Sequence, residues 1–239
     1  MPAFFVHGVP ETHHLWSPVI ERLSRRDIVA IDLPGFGAPV PDGFDASKEA
    51  YVDWLIQRIE EVGESVDLVS HDWGCIMGAR VASLRPDLIR TWAGGGGTID
   101  ATREWHPLAK LWQTPGKGED YFENFDIAAM IARLVADGVL ADRAARIAGR
   151  VDRTMGSCIL RLYRSAVNVG QEWQPGLANM TAPAMVFHGL RDQVVPVKSA
   201  HQLERDIRAR RFVPLESGHW FPVQAPAEVA TALEEHWCG

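Results

Sequence analysis

The chain has 239 residues, of which 46% are hydrophobic and 23% are charged, and its formal net charge is −7. This composition is typical of a soluble globular protein with one large domain, or with a core domain that carries an insertion. The negative charge disfavours nucleic acid and anionic membrane surfaces as partners, and it disfavours highly anionic substrates unless a local basic pocket overrides the total.

Short apolar runs alternate along the chain with amphipathic stretches, a pattern typical of a mainly parallel, twisted sheet flanked by helices. The runs that predict strands are Ala3–His7, Ile28–Asp32, Val66–Ser70, Thr91–Ala93, Ala184–His188 and Arg211–Pro214. The stretches that predict helices between them are Leu15–Leu23, Lys48–Val62, Trp73–Leu84, Ser199–Ile207 and Ala227–Trp237. Ser47 stands where a helix N-cap is expected, and Pro226 where a first-turn proline is expected.

This alternation stops between about residues 98 and 180, where helical periodicity continues without an evident strand. The helices predicted there are Tyr121–Ala136, Ala141–Val151 and Cys158–Val169. A helical insertion after a mid-sheet strand would lie over the carboxyl ends of the strands, where open α/β sheets bind ligands. The sequence therefore predicts a core domain of residues 1–97 and 181–239 and a helical cap of residues 98–180. The preceding glycine run, Gly94–Gly97, lacks the sequence of a phosphate-binding loop and is interpreted as a flexible connector.

The most informative turn lies between a predicted strand that ends at Ser70 and a predicted helix that begins at Trp73. Asp72 occupies its apex, with the small residues Ser70 and Gly74 two positions away on either side. A sharp strand-to-helix turn needs small residues at those positions, and it leaves its apex side chain exposed at the start of the helix. Esterases have serine at this apex, and no Gly-x-Ser-x-Gly turn occurs in this chain.

An aspartate at the apex changes the expected chemistry. A carboxylate can attack an electrophilic sp3 carbon, displace an oxygen or a halide and form an alkyl ester on the enzyme. The helix dipole favours the ionised form of Asp72 at this position. The alternative is that Asp72 is only a helix N-cap, a role that aspartate often fills.

Two further residues follow predicted strands in the order expected of a catalytic triad. Asp192 lies in the turn after Ala184–His188, and His219 lies in the loop after Arg211–Pro214. In the order nucleophile, acid, histidine, His219 would be the general base that activates water, and Asp192 would orient its ring and stabilise the imidazolium. The other histidines, including His71, are given no catalytic role.

The turn after the first predicted strand supplies candidate groups for oxyanion and substrate binding. His7 and Gly8 are followed by Val9 and Pro10, and an X-Pro bond can be cis. A glycine here lets the backbone turn tightly beside Asp72. The amides of Val9 and Trp73 are therefore candidate donors to the oxyanion that forms during ester hydrolysis.

Five motifs of the chain together resemble the epoxide hydrolases of the α/β-hydrolase fold and their relatives, the haloalkane dehalogenases. They are His7–Pro10, Asp32–Gly37, Ser70–Gly74, Gly189–Asp192 and Gly218–Trp220. The resemblance covers the core on both sides of the cap and implies an aspartate nucleophile. It does not separate the two activities.

In epoxide hydrolases, one or two tyrosines of the cap protonate the epoxide oxygen, and the resemblance implies the same role for cap tyrosines here. Tyr163, before an arginine near the end of the cap, is similar to that family context, and Tyr121 is a weaker match. Dehalogenases hold the departing halide with paired N–H donors. Trp73 could supply one donor, but their frequent asparagine is replaced here by Val9, so the second would have to come from Trp105, Trp112 or Trp173.

We therefore expect an epoxide hydrolase that needs no metal or organic cofactor and acts on a small apolar epoxide, with haloalkane dehalogenase as the nearest alternative. A non-catalytic ligand receptor is a third possibility. The amino-terminal residues show no signal peptide, and the three scattered cysteines form no CxxC pair, which favours a reduced, cytoplasmic chain. No apolar run approaches 18 residues, so no membrane partner is expected. The subunit number is open, with a homodimer as one option.

Overall fold

The computed structural model describes residues 1–238, and these form a six-stranded sheet in which every pair of neighbouring strands is parallel. The strand order is β2-β1-β5-β6-β7-β8. These strands are β1 (Ala3–Val6), β2 (Ile28–Ile31), β5 (Val66–His71), β6 (Ile89–Gly95), β7 (Ala184–Gly189) and β8 (Arg211–Leu215). A small separate pair comprises β3 (Leu33–Pro34) and β4 (Gly37–Ala38). The parallel sheet predicted from the sequence is confirmed.

Helices connect the strands and cover both faces of the sheet. They are α1 (Ser17–Ile20), α2 (Lys48–Glu60), α3 (Trp73–Leu84), α4 (Pro107–Gln113), α5 (Lys117–Glu123), α6 (Ile127–Ala136), α7 (Ala141–Ala148), α8 (Arg153–Ser165), α9 (Val169–Trp173), α10 (Val197–Asp206), α11 (Phe221–Gln224) and α12 (Pro226–Cys238). Short 3-10 turns span His13–Trp16, Pro86–Leu88 and Gln174–Asn179. Within residues 1–238, none of the helices has the length and apolar character needed to cross a bilayer.

The central strands are buried on both sides. Phe4 and Val6 of β1 belong to one apolar cluster and Phe5 to another, because successive side chains of a strand point to opposite faces. Leu68 and Val69 of β5 divide in the same way. A parallel sheet covered by helices on both faces has such near-continuous apolar strands. The carboxyl ends of β1, β5, β7 and β8 then meet at one edge, where the turns predicted to carry catalytic groups begin.

Two predicted helices are interrupted, each for a local reason. The stretch Leu15–Leu23 forms a 3-10 turn followed by α1, which places Pro18 in the first turn of α1, where its missing N–H is not needed. The stretch Tyr121–Ala136 divides into α5 and α6. A new helix begins because the Asp126 side chain accepts a hydrogen bond from Ala129 N at 2.9 Å and caps α6. The predictions of continuous helices were wrong at both places.

The segment between β6 and β7 contains helices α4 to α9 and no strand among its described residues, as the periodicity predicts. One of its contacts with the rest of the chain is made by Ser165, at the end of α8. Lys48 N, at the start of α2, donates to Ser165 Oγ at 2.8 Å, and Lys48 Nζ donates to Ser165 O at 2.9 Å. The inserted helical segment is therefore packed directly on the core.

The glycine run before this segment is not a loose connector, which corrects the prediction made for it. Gly94 and Gly95 complete β6, and all four glycines are buried. A Cβ atom at Gly96 would lie 2.7 Å from His71 Nε2, and one at Gly97 would collide with the backbone carbonyl of Asp72. Gly96 and Gly97 lie against the turn around Asp72, and a Cβ atom at Gly94 or Gly95 would meet Trp92 or Phe187, so none of the four positions has space for a side chain.

Candidate active site

Asp72 lies at the turn between β5 and α3 in a strained backbone conformation, with φ +52° and ψ −122°. Its amide donates to Gly95 O at 3.0 Å, and it accepts no side-chain hydrogen bond from the first turn of α3. A Cβ atom at Gly74 would lie 2.6 Å from Val6 O, which explains the small residue there. The N-cap alternative therefore has no support in the geometry. Strain at a buried turn of this kind is characteristic of functional sites.

The Asp72 carboxylate is directed at two other turns instead. Val9 N donates to Asp72 Oδ1 at 2.7 Å, and His219 Nε2 lies 3.6 Å from Asp72 Oδ2. The Val9–Pro10 peptide bond in the first of these turns is cis. Gly8 adjoins the carboxylate so closely that a Cβ atom there would lie 2.6 Å from Asp72 Cβ and 2.7 Å from Trp73 N. The structure thus brings the predicted nucleophile, an amide donor and the predicted base together.

Asp192 lies on the other side of the His219 ring. His219 Nδ1 is 3.1 Å from Asp192 Oδ2, while Asp192 Oδ1 accepts hydrogen bonds from Val194 N at 2.7 Å and Val195 N at 2.9 Å. The Asp192 side chain is only 1% exposed. These contacts hold one carboxylate oxygen and leave the other to orient the histidine, as a triad acid must.

The charges of the three groups favour an ion pair in the resting protein. Burial alone would lower the pKa of His219, but the adjacent carboxylates of Asp192 and Asp72 outweigh it and raise the pKa to about 10. Burial would raise the pKa of Asp72, and the hydrogen bond and charge of His219 reverse this, so that the pKa falls below its usual value. The pKa of Asp192 is lowered in the same way. At neutral pH His219 is therefore a cation between two carboxylates.

Two buried histidines support these groups. His71 Nε2 donates to the backbone carbonyl of His219 at 2.9 Å, and burial lowers the pKa of His71 to about 4, so its ring is neutral. His7 Nδ1 donates to Gly8 O at 2.8 Å, and its Nε2 accepts from Leu33 N at 3.1 Å. Both ring nitrogens of His7 are thus bound to backbone, which places His7 as a support of the turn and not against substrate. The role of His71 was missed because no sequence pattern shows that its ring reaches the His219 loop.

Aromatic side chains from the inserted helical segment pack on Trp73, the residue after Asp72. The ring of Tyr163 is 5.2 Å from the ring of Trp73 and 4.9 Å from that of Trp112, and Trp105 stacks on Trp73 at 6.0 Å. Tyr163 is 4% exposed. Burial, reinforced by the Asp72 charge, raises the pKa of Tyr163, so its hydroxyl remains protonated and able to donate.

Tyr121 is not part of this contact. Its ring is 5.9 Å from Trp112, and its other ring neighbours are Phe122 and Phe125. Trp112 touches both tyrosines and therefore lies between Tyr121 and Tyr163. Of the two predicted proton donors, Tyr163 therefore packs on Trp73, whereas Tyr121 is separated from Tyr163 by the ring of Trp112.

The tryptophans of the inserted helical segment differ in the use of their indole N–H groups. Trp105 Nε1 donates to Val167 O at 3.1 Å. Trp173 packs between cationic side chains, with Lys48 Nζ 5.6 Å and Arg80 Cζ 5.5 Å from its ring. The indole N–H of Trp112 is buried and has no acceptor within residues 1–238. Trp112 is therefore the one of the three that offers a free donor beside Tyr163.

The loop between β6 and α4 adds two residues that sequence reasoning left without a role. Arg103 Nη2 donates to Val194 O at 2.8 Å and so joins this loop to the turn that holds Asp192. The ring of His106 is 6.4 Å from Tyr163, and burial lowers the pKa of His106 to about 4. Neither position could be predicted, because the path of the loop depends on how the helices pack. Across residues 1–238 no cluster of His, Cys, Asp and Glu side chains has a metal-binding arrangement.

A comparison with models of protein families shows which family the chain belongs to. The model described as "Alpha/beta hydrolase family" matches residues 3–232. The chain belongs to this family. The α/β-hydrolase fold predicted from the sequence is thereby confirmed. A thermophilic esterase from Thermogutta terrifontis has the same fold, with a TM-score of 0.81 at 21% identity, and the alignment covers 100% of this chain and 89% of that one.

Relatives within the alpha/beta hydrolase family carry different names. The (E)-2-((N-methylformamido)methylene)succinate hydrolase of Acinetobacter baylyi is 23% identical, over 98% of this chain and 89% of that protein. A haloalkane dehalogenase of Bradyrhizobium diazoefficiens is 28% identical over 57% of this chain and 49% of its own length. Epoxide hydrolase 2 of Siraitia grosvenorii is 29% identical over 55% of this chain and 47% of its own length. The similarity supports a hydrolase, and it extends to both of the activities considered above.

In this alpha/beta hydrolase, replacing Gly8 by alanine should reduce both stability and activity. The new Cβ atom would overlap Asp72 and the Trp73 amide, and overpacking of this kind costs about 1–3 kcal/mol. Thermal unfolding and turnover measure the two effects. Gly63→Ala is the control, because its Cβ atom meets nothing within 4 Å and only its φ of +78° is unfavourable. A Gly8→Ala variant as active and stable as that control would contradict the close approach.

Proposed function

We propose that this hydrolase opens epoxides to vicinal diols through an alkyl ester on Asp72. The observation that carries the proposal is the placement of the Asp72 carboxylate, unused as a helix cap, 2.7 Å from the Val9 amide and 3.6 Å from His219 Nε2. Attack of a carboxylate on an sp3 carbon gives an ester that water can hydrolyse, whereas attack on a carboxylic ester gives an unproductive anhydride. In this proposal the inserted helical segment is a cap, and its aromatic rings favour a small apolar substrate.

The first step would open the ring. An oxygen of Asp72 attacks one epoxide carbon, the bond from that carbon to the ring oxygen breaks, and the Tyr163 hydroxyl gives its proton to that oxygen. The Tyr163 anion then recovers a proton from the imidazolium of His219, directly or through water. Asp72 is now a neutral ester, the ring oxygen is a hydroxyl, and His219 is a neutral base.

The second step would release the diol. His219 takes a proton from water, and the hydroxide attacks the carbonyl carbon of the Asp72 ester. The resulting oxyanion is stabilised by the Val9 amide, the same donor that contacts Asp72 Oδ1. On collapse, the bond from the carbonyl carbon to the alkyl oxygen breaks, and the proton of the added hydroxyl passes to that oxygen to give the diol. Asp72 is then a carboxylate again and His219 is protonated, so all atoms and charges return to the resting state.

The electrostatics support this sequence of events. The pKa of about 10 at His219 depends on both flanking carboxylates. When Asp72 becomes a neutral ester, one of these charges disappears and the pKa of His219 must fall, which makes the ring a base only once the ester exists. His219 also lines a cavity of about 510 Å3, from which we propose that the hydrolytic water arrives.

Haloalkane dehalogenation is the second candidate, and the free indole N–H of Trp112 favours it. Trp73 and Trp112 both pack on Tyr163, so their N–H groups could together hold a departing halide. Val9 stands where dehalogenases often have an asparagine donor, which weighs against this reading. The same Asp72, His219 and Asp192 would serve either reaction.

A substrate panel separates these candidates. Styrene oxide and other aryl and alkyl epoxides would be incubated with the enzyme beside matched bromoalkanes, and diol and halide would be measured. Diol formation without halide release is the expected result. Halide release without diol would select the dehalogenase, and tight ligand binding without any product would indicate a receptor.

Replacing Tyr163 by phenylalanine should lower kcat for epoxides by about 10²-fold, the low end of what a positioned general acid contributes. Phenylalanine retains the ring packing on Trp73 and Trp112, so KM should change little. Steady-state kinetics on an epoxide measure this effect. Tyr121→Phe is the matched control, because its ring lies beyond Trp112. A larger loss in Tyr121→Phe than in Tyr163→Phe would assign the proton donor to Tyr121 instead.

A further inference from the structure

A second cavity lies beside the active-site turn, between the residues that follow β1 and helix α7. Its volume is about 260 Å3, just below the range of pockets that hold drug-sized ligands, so it suits a smaller molecule. The polar residues that line it include Glu11, His14, Arg143, Arg146 and Arg150. None of them has a role in the proposed reaction.

Three arginines face this cavity from one side of α7 and the turn that ends it. Arg143, Arg146 and Arg150 are spaced by three and four residues, which places them on one helical face. Arg146 is paired with Asp142 at 2.5 Å. The side chains of Arg143 and Arg150 form no ion pair and no hydrogen bond with any group in residues 1–238.

The opposite wall presents a buried carboxyl group with one unpartnered oxygen. Glu11 is 3% exposed, and its Oε1 atom has no hydrogen-bond partner within residues 1–238. Unpartnered polar atoms at this depth are costly and call for an explanation such as a ligand. Glu11 N donates to Gly8 O at 3.0 Å, so this wall is continuous with the turn that carries Val9.

We propose that this cavity is a binding site for a small oxyanion, a carboxylate or a tetrahedral anion, held by Arg143 and Arg150 and hydrogen-bonded by Glu11. Guanidinium groups match the planar and tetrahedral oxygens of such anions with paired N–H donors. This site is separate from the catalytic groups and does not depend on which reaction they catalyse.

The protonation state of Glu11 fits this role. Burial raises its pKa to about 8 even though Arg143 and Arg150 oppose the rise, and the Asp72 charge adds to it. At neutral pH the neutral carboxyl group can donate its proton to an anion. Above about pH 8 it becomes a carboxylate that repels one. The remaining groups do not titrate in this interval, because the arginines stay charged and the pKa of His14 is lowered by burial and by His13.

Calorimetric titration of the full-length protein with sodium sulfate and, separately, sodium succinate tests the proposal. We expect one binding event per chain near neutral pH, and the probe that binds more tightly shows whether the site prefers a tetrahedral anion or a carboxylate. The double variant Arg143→Gln/Arg150→Gln should lose about tenfold or more in affinity, since two charged hydrogen-bonding groups are removed. Arg26→Gln is the matched control, because Arg26 is exposed and precedes β2, at the amino ends of the strands and not at the carboxyl ends where the cavity lies.

The pH dependence provides a second measurement that does not need the double variant to fold. Sulfate keeps its charge throughout, so its affinity for the wild type should fall as the pH rises through about 8. Glu11→Gln should bind near neutral pH and lose this pH dependence. Absence of binding by the wild type overturns the proposal, as do equal affinities in the double variant and the wild type, or an unchanged pH profile in Glu11→Gln.

Discussion

Replacing Asp72 by alanine should lower epoxide turnover by at least about 10⁴-fold, since removal of a nucleophile eliminates the covalent route and leaves only the contribution of binding. The oxygens of Asp192 are engaged by Val194 N, Val195 N and His219, whereas the Asp72 carboxylate is positioned for attack by the Val9 amide and by His219. Asp53→Ala is the matched control, because Asp53 is exposed on α2. Circular dichroism would verify that both variants fold. An Asp72→Ala enzyme that retains turnover would contradict the proposed nucleophile.

An isotope experiment on the unmodified enzyme tests the same step in another way. In a single turnover in ¹⁸O-labelled water, the hydroxide attacks the carbonyl carbon of the ester, so the label should enter the Asp72 carboxylate and the first diol should be unlabelled. If His219 activated a water that attacked the epoxide directly, the diol would carry the label and Asp72 would not. Mass spectrometry of the diol and of the peptide containing Asp72 distinguishes these outcomes.

The sequence was sufficient to predict the parts of the site that depend on local order along the chain. The turn around Asp72 could be recognised because its small neighbours are required by the backbone there, and in the structure Val6 O lies close to Gly74. The positions of Asp192 and His219 followed from their location just after strands, since the carboxyl ends of parallel strands share one edge. In the structure the His219 ring lies 3.1 Å from Asp192 Oδ2 and 3.6 Å from Asp72 Oδ2.

Features that depend on packing between distant segments could not be predicted. The glycines Gly94–Gly97 look like a connector in the sequence, because the atoms that exclude their side chains belong mostly to other segments, among them His71, Asp72 and Phe187. The burial of Glu11 and its position opposite Arg143 likewise depend on how α7 docks on the core. The contacts of Tyr163 and Tyr121 with Trp112 follow from the packing of α4, α5 and α8, which no periodicity specifies.

Replacing His219 by glutamine should stop the reaction after the first chemical step. Glutamine can occupy the space between Asp72 and Asp192, but it cannot take a proton from water, so kcat should fall by about 10²- to 10⁴-fold. The ester on Asp72 should accumulate to near one equivalent when the variant is incubated with epoxide at about pH 8 or above. An alkaline solution is needed because the variant lacks the His219 contacts that lower the pKa of Asp72, while burial still raises it. Intact-protein mass spectrometry followed by peptide mapping would locate it.

The mass of that adduct also separates the two candidate reactions. Ring opening expels no atom, so an epoxide adds its entire mass to the protein, whereas a haloalkane adds only its alkyl group after the halide has left. His201→Gln is the matched control, because His201 pairs with Glu204 on α10, and it should form no lasting adduct. If His219→Gln loses activity without any adduct, then His219 is required before the ester forms, and the division of labour between Asp72 and His219 proposed here is wrong.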